Sequence, residues 1–224
     1  MKLTKSQSLN FDLIRIGFKL QFSKEPEVST YFVDIEKTLV RAILEIVEKD
    51  DGRLLSLVTS WLVVHHRQVN IGKLAKYVNG ITNNQPAAIV MKALVNYIAQ
   101  KKYPAWRKSV HKIQAEGYFA FFNREVSSFD TSARSTTVEE FRVCGFYTTI
   151  TSLRIRESDI ETPEELAKLN HQYANRLLVG SNWRSDIVTL KQQGYESPYA
   201  IAKELGLSYS SVHEAYRALD KLAG

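Results

Sequence analysis

The sequence predicts a mainly α-helical fold with a few short strands, an α+β chain in which two three-helix units are joined by a mixed middle region. Three observations predict it. Apolar residues recur at helical spacing over most of the chain. The order helix, short helix, long helix occurs twice, once in each half. Aromatic and β-branched runs that suit strands are confined to residues 13–22 and to the middle.

At 224 residues with 44% hydrophobic content, the chain can bury a core and is not of disordered composition. The opening "MKLTKSQSLNFDLIRIGF" lacks the uncharged run of a signal peptide, and no stretch approaches the ~18 apolar residues of a membrane span. One cysteine, Cys144, excludes an internal disulfide and suits a reducing compartment. A soluble, cytoplasmic protein without a membrane partner is expected.

The elements follow in order. Ile14, Ile16, Phe18, Leu20 and Phe22 alternate with polar residues or glycine, which reads as a half-buried strand over 13–22. Ile35, Leu39 and Ile43 share one face of a helix over 30–48, and Asp50-Asp51-Gly52 ends it. Residues 54–65 are apolar on most sides and form a buried helix. Asn70 caps a short helix over 71–78. A third helix spans 86–101, with Pro86 in its first turn and Pro104 beyond its end. "GYFAFF" (117–122) and "FRVCGFYTTITSLRI" (141–155) read as strands. Thr162-Pro163-Glu164-Glu165 starts a helix that runs to Val179 and stops at Gly180. Ser181 or Asn182 starts the next, which ends near Gly194. The expected organisation is a strand and helix over 1–52, a basic unit over 53–112, the mixed region over 113–160 and a C-terminal unit over 161–224.

"SPYAIAKELGLSYSSVHEAYRAL", residues 197–219, closes the pattern. A tight helix–turn–helix needs a small residue where its helices pack and a turn residue that tolerates positive φ. Ala202 and Gly206 fill these roles, and Ile201, Leu205, Leu207, Val212 and Ala215 supply the apolar contacts. Ser197 and Ser208 stand where caps belong. These residues resemble the helix-turn-helix and winged-helix DNA-binding proteins of bacteria, which include transcription regulators and autorepressing antitoxins. The resemblance covers about a tenth of the chain. Extended back through "NRLLVGSNWRSDIVTLKQQG", it implies a three-helix module. It departs from the winged pattern in having no hairpin after the second helix. The resemblance implies that Tyr209, Ser210, Ser211, His213 and Arg217 face the major groove. Yet residues 181–224 hold five basic and five acidic side chains, so this module brings little phosphate attraction of its own.

The charge lies upstream. Residues 1–112 hold 18 Lys/Arg against 9 Asp/Glu, although the whole chain is only +6. Between Asp51 and Glu116 stand ten Lys/Arg, three His and no carboxylate. An ordinary solvated face mixes both signs, so this run points to a polyanion partner. On the third helix Gln85, Lys92, Asn96 and Gln100 fall on one face, residue types that pair with base edges in the major groove. A plain solvated face accounts for the same stripe. "KKYPAWRKSVHK" then adds Lys101, Lys102, Arg107, Lys108 and Lys112 as phosphate contacts, with Tyr103 and Trp106 as core anchors.

Catalytic patterns are weak. Glycine-rich phosphate loops and the G-x-S-x-G elbow are missing, and His65-His66 point to different helix faces. Asp159, Glu161, Glu164 and Glu165 form an acidic cluster, but a helix start already explains the last two. No enzyme activity, cofactor or metal is expected. The expected function is sequence-specific binding of double-stranded DNA by a homodimeric transcriptional regulator, including the autorepressors of toxin–antitoxin or defence operons. A plasmid or phage replication initiator and an adaptor or antitoxin with a protein partner are the alternatives.

Overall fold

The computed structural model describes residues 5–20, 32–81, 84–121, 138–148 and 153–223. Parts of the expected strands (21–22, 122 and 149–152) and of one helix start (30–31) lie outside them. The fold is mainly helical. In chain order the helices are α1 (Lys5–Arg15), α2 (Ile35–Lys49), α3 (Gly52–His65), α4 (Ile71–Asn79), α5 (Gln85–Lys101) and α6 (Arg107–Val110). There follow α7 (Glu139–Arg142), α8 (Pro163–Leu169), α9 (His171–Val179), α10 (Trp183–Gln192), α11 (Pro198–Leu205) and α12 (Tyr209–Ala223). Two-residue strands β1 (Phe119–Ala120) and β2 (Phe146–Tyr147) pair in parallel, Phe119 opposite Phe146.

The N-terminal strand is the first correction. Residues 5–15 are helical, and Leu9, Leu13 and Ile16, spaced by four and three, are buried. The period-two pattern over 13–22 overlaps this helical one and misleads. Gly17, at φ +97°, ends the run, and Phe18 then forms an isolated bridge to Ile160. A side chain at Gly17 would crowd Leu166 at 3.1 Å.

The helix expected from 30 starts only at Ile35, but most other boundaries agree with the sequence because their punctuation is chemical. The carboxylates of Asp34 and Asp51 cap α2 and α3, and Asn70, Asn84 and Asn182 cap α4, α5 and α10. Thr162 and Glu165 form a reciprocal capping box at α8. The single helix expected over 163–179 is two, because Asn170 leaves helical geometry and its side chain accepts from Tyr173 N to cap α9. Ser197 makes no capping hydrogen bond, whereas Ser208 Oγ accepts from Ser211 N. The expected strand over 141–155 begins instead as helix α7.

α5 lies at the centre. Ala87, Ala88, Ile89, Val90, Met91, Ala93, Leu94, Val95, Ile98 and Ala99 are all buried, which covers nearly every side of the helix. α2, α3 and α4 pack against it, as do α6, α7 and the two strands. One apolar cluster runs from Leu9 to Tyr173. The expected boundaries at 52, 112 and 160 therefore do not separate cores, and α3–α4–α5 is no free-standing unit. A second cluster, Ile187, Leu190, Ile201, Ala202, Leu205 and Val212, holds α10, α11 and α12 together.

A buried ionic hub joins the two clusters. The Arg176 guanidinium contacts Glu36 at 2.6 and 2.9 Å and Asp186 at 2.9–3.1 Å, and donates to the Gln68 carbonyl. The Lys73 ammonium lies 2.7 Å from both Asp34 and Asp186. Gln172 accepts from Ile35 N and donates to Asp186, while Tyr77 donates to Asp34. Burial alone would lower the Lys73 pKa; Glu36, Asp34 and Asp186 outweigh it and hold the ammonium above the usual lysine range. Burial likewise opposes ionisation of Asp186, but Arg176 and Lys73 keep its pKa below the usual aspartate value.

Candidate nucleic-acid interface

The turn of the C-terminal pair is built as its residues demand. Gly206 adopts φ +59°, ψ +38°, the left-handed region that glycine enters at least cost, and Leu207 N returns to the Ala202 carbonyl. Ala202 and Val212 are buried where the helices meet. This leaves the start of α12 outward. Tyr209 is 52% exposed, Ser210 and Arg217 are exposed, and Ser211 and His213 are half-buried. The Tyr209 and His213 rings stack at 5.4 Å, one turn apart. The five expected reading residues thus lie on one accessible helix, with Glu214 exposed among them.

The polar stripe of α5 is partly covered by other parts of the protein. Its side chains do share a face, but residues 113–116 and α7 cover it. The Gln85 amide oxygen accepts from Glu116 N, Lys92 Nζ donates to the Ala115 carbonyl, and Asn96 Nδ2 donates to the Glu140 carbonyl at 2.7 Å. Asn96 is 9% exposed, and of the four only Gln85 and Gln100 are open to solvent. Most of the surface of α5 is thus in contact with the rest of the protein.

The basic arm after α5 divides similarly. Lys101 pairs with Glu140 at 2.6 Å, and the hydrogen bond to that carboxylate raises its pKa. Pro104 turns the chain, Trp106 is buried, and Tyr103 and Trp106 pack around His66. That anchoring leaves Lys102, Arg107, Lys108 and Lys112 exposed. None of these four side chains engages an acidic group among the described residues.

α4 brings the arm and the C-terminal pair together. Lys76 Nζ donates to the Gly206 carbonyl at 2.6 Å, inside the turn itself. Three residues on, Asn79 Nδ2 donates to the Lys112 carbonyl at 2.8 Å, and its Oδ1 accepts from Gln114 N at 2.9 Å. Positions three apart are neighbours on a helix surface. The last turns of α4 therefore fix the end of the arm beside the turn that precedes α12. Lys76 and Asn79 were not among the residues the sequence singled out; Lys76 was visible only as one cation of the acid-free run, and Asn79 only as a turn residue before Gly80.

Other chemistry has less to offer. His65 is buried, with Nδ1 against the Tyr173 hydroxyl at 2.7 Å and Nε2 against the Glu161 carbonyl at 3.0 Å. Burial raises the pKa of the half-buried Cys144 thiol, the reverse of nucleophile activation. Among the described residues no three His, Cys, Asp or Glu side chains gather as a metal ion would require, and no helix is long and apolar enough to cross a membrane. Comparison with protein-family models, curated proteins and solved structures finds no match to this chain.

Proposed function

We propose that this is a sequence-specific, double-stranded DNA-binding protein that acts as a transcriptional regulator, with α12 as its reading helix. One observation carries the reading: α4 ties both the end of the cationic arm, at Lys112, and the turn that presents α12. The C-terminal pair is electrically neutral by itself, which left it without a source of phosphate attraction. The neighbouring arm supplies one. In this reading Tyr209, Ser210, Ser211, His213 and Arg217 meet base edges or nearby phosphates. Autorepression of its own operon suits such a protein, and a dimer would read two spaced half-sites.

The test is selection of bound duplexes from a random pool by the full-length chain, followed by affinity for the selected site across a salt series. Enrichment of one sequence, and loss of that preference in Arg217→Ala, is the expected result. A chain that binds no duplex at low salt overturns the reading.

A protein partner is the second reading, favoured by a different surface. Leu177, Leu178 and Val179 are exposed together where α9 ends, Leu178 to 83%. Apolar side chains gathered in this way mark contact surfaces. Sedimentation equilibrium of the chain and of Leu178→Asp separates self-association through this surface from a purely monomeric protein.

A further inference from the structure

We infer that residues 102–112 form a phosphate clamp that grips the same duplex read by α12, on backbone flanking the base-contact site, with Lys76 and Asn79 as the positioning residues that set the offset. The inference rests on the DNA-binding reading above and goes beyond it by assigning the clamp's place on the ligand.

The geometry of α4 carries it. Asn79 binds the backbone of the clamp's last residue, Lys112, and Lys76 binds the backbone of the reader's turn, Gly206. The two anchor points are separated by three residues of one helix, a rise of about 4.5 Å, plus the reach of two side chains. Laid end to end, these spans put the clamp's end at most about 33 Å from the start of α12, within the ~34 Å helical repeat of a duplex. A duplex seated on the exposed start of α12 therefore runs within reach of the clamp.

The clamp is also held firmly enough to contribute at a fixed position. Trp106 is buried at its middle, and its C-terminal end is tied down by the paired hydrogen bonds of Asn79 with the Lys112 carbonyl and Gln114 N. Arg107 and Lys108 open α6, Lys112 follows two residues after its end, and Lys102 stands at the upstream end. Three of the four groups are lysines, and lysine acts on phosphate as a point charge. Their contribution is to affinity and salt dependence rather than to sequence preference.

The experiment compares two duplexes that carry the selected site, one trimmed to the bases α12 specifies and one extended by a full helical turn on each side. Binding is measured over a potassium chloride series for the parent chain and for the variant with Lys102→Gln, Arg107→Gln, Lys108→Gln and Lys112→Gln. On the long duplex the slope of log affinity against log salt should fall by about 3 to 4 in the variant, at ~0.9 per lost phosphate contact. On the trimmed duplex the two slopes should coincide, and the preferred sequence should be unchanged. Lys76→Met should keep the cations yet lose part of the long-duplex advantage, a readout that mere loss of stability would not confine to one duplex length. Equal slopes for parent and variant on the long duplex overturn the clamp, and an equal difference on both lengths overturns its flanking position. A parent chain that binds neither duplex overturns the DNA reading itself, so the two failures are distinct.

Discussion

Arg176 places its guanidinium on both carboxylate oxygens of Glu36, 140 positions earlier in the chain, at 2.6 and 2.9 Å, and both side chains are fully buried. This pair and Asp186 fasten the C-terminal helices to the α2–α4 body. Truncating one partner of a buried ion pair leaves an uncompensated charge and costs about 3–5 kcal/mol. Arg176→Met should therefore lower stability by that order, read as a reduced urea midpoint, since Lys73 alone would remain to balance Glu36, Asp186 and Asp34. A loss under 1 kcal/mol would show that the hub contributes little to the fold.

His65 makes stability depend on pH in a defined window. Burial lowers its pKa from the ordinary 6.5 to about 4, against a smaller opposing effect of the Glu161 carbonyl. Below pH 6.5 the unfolded chain takes up a proton that the folded chain refuses, so stability falls with decreasing pH. The contribution is complete above pH 6.5, is lost progressively down to pH 4, and amounts to about 3 kcal/mol at most. Chemical denaturation between pH 7.5 and 4.5 should show this decline, and His65→Gln should flatten it. An equal decline in both proteins would assign the effect to other groups.

The helices were legible where their ends carry chemistry. Asn70, Asn84, Asn182, Thr162 and Gly206 each mark a boundary through a hydrogen bond or a backbone requirement that the residue type alone reveals. The α1 region failed because two periods meet at Ile16, helical with Leu9 and Leu13 and alternating with Ile14 and Phe18, and only tertiary burial decides between them. The surroundings of the α5 stripe were illegible for another reason. Spacing shows that Gln85, Lys92, Asn96 and Gln100 share a face, but not that Ala115 and Glu140 would cover it. The hub was illegible because its charges come from four helices far apart in sequence. The reading residues of α12 were legible from local pattern, whereas their union with the arm depends on two hydrogen bonds from α4.

Asn96 tests whether α5 reads DNA. Its side-chain amide donates to the Glu140 carbonyl inside the protein, so Asn96→Ala should cost about 1–2 kcal/mol by leaving that acceptor unpaired. The preferred DNA sequence should not change. A shift in base preference, measured on the selected pool at matched folded fraction, would identify α5 as a reader.

Gly206 links the local turn to the wider assembly, because its backbone conformation and its carbonyl are both in use. An added Cβ would sit 3.3 Å from Lys76 Nζ, at a φ of +59° that side chains other than glycine disfavour. Gly206→Ala should therefore destabilise the chain by about 1 kcal/mol from the backbone alone. It should also make the Lys76 ammonium shift by a few tenths of an ångström on the Gly206 carbonyl. Hydrogen exchange separates the two effects: backbone strain speeds exchange at Leu207, whose N–H closes the turn, and a displaced Lys76 loosens the amides of α11 and α12 together. Gly206→Ala with Lys76→Ala should recover the part of the loss that arises from the crowded ammonium. If the double variant is no more stable than the sum of the single changes allows, the turn and α4 are energetically independent despite their contact.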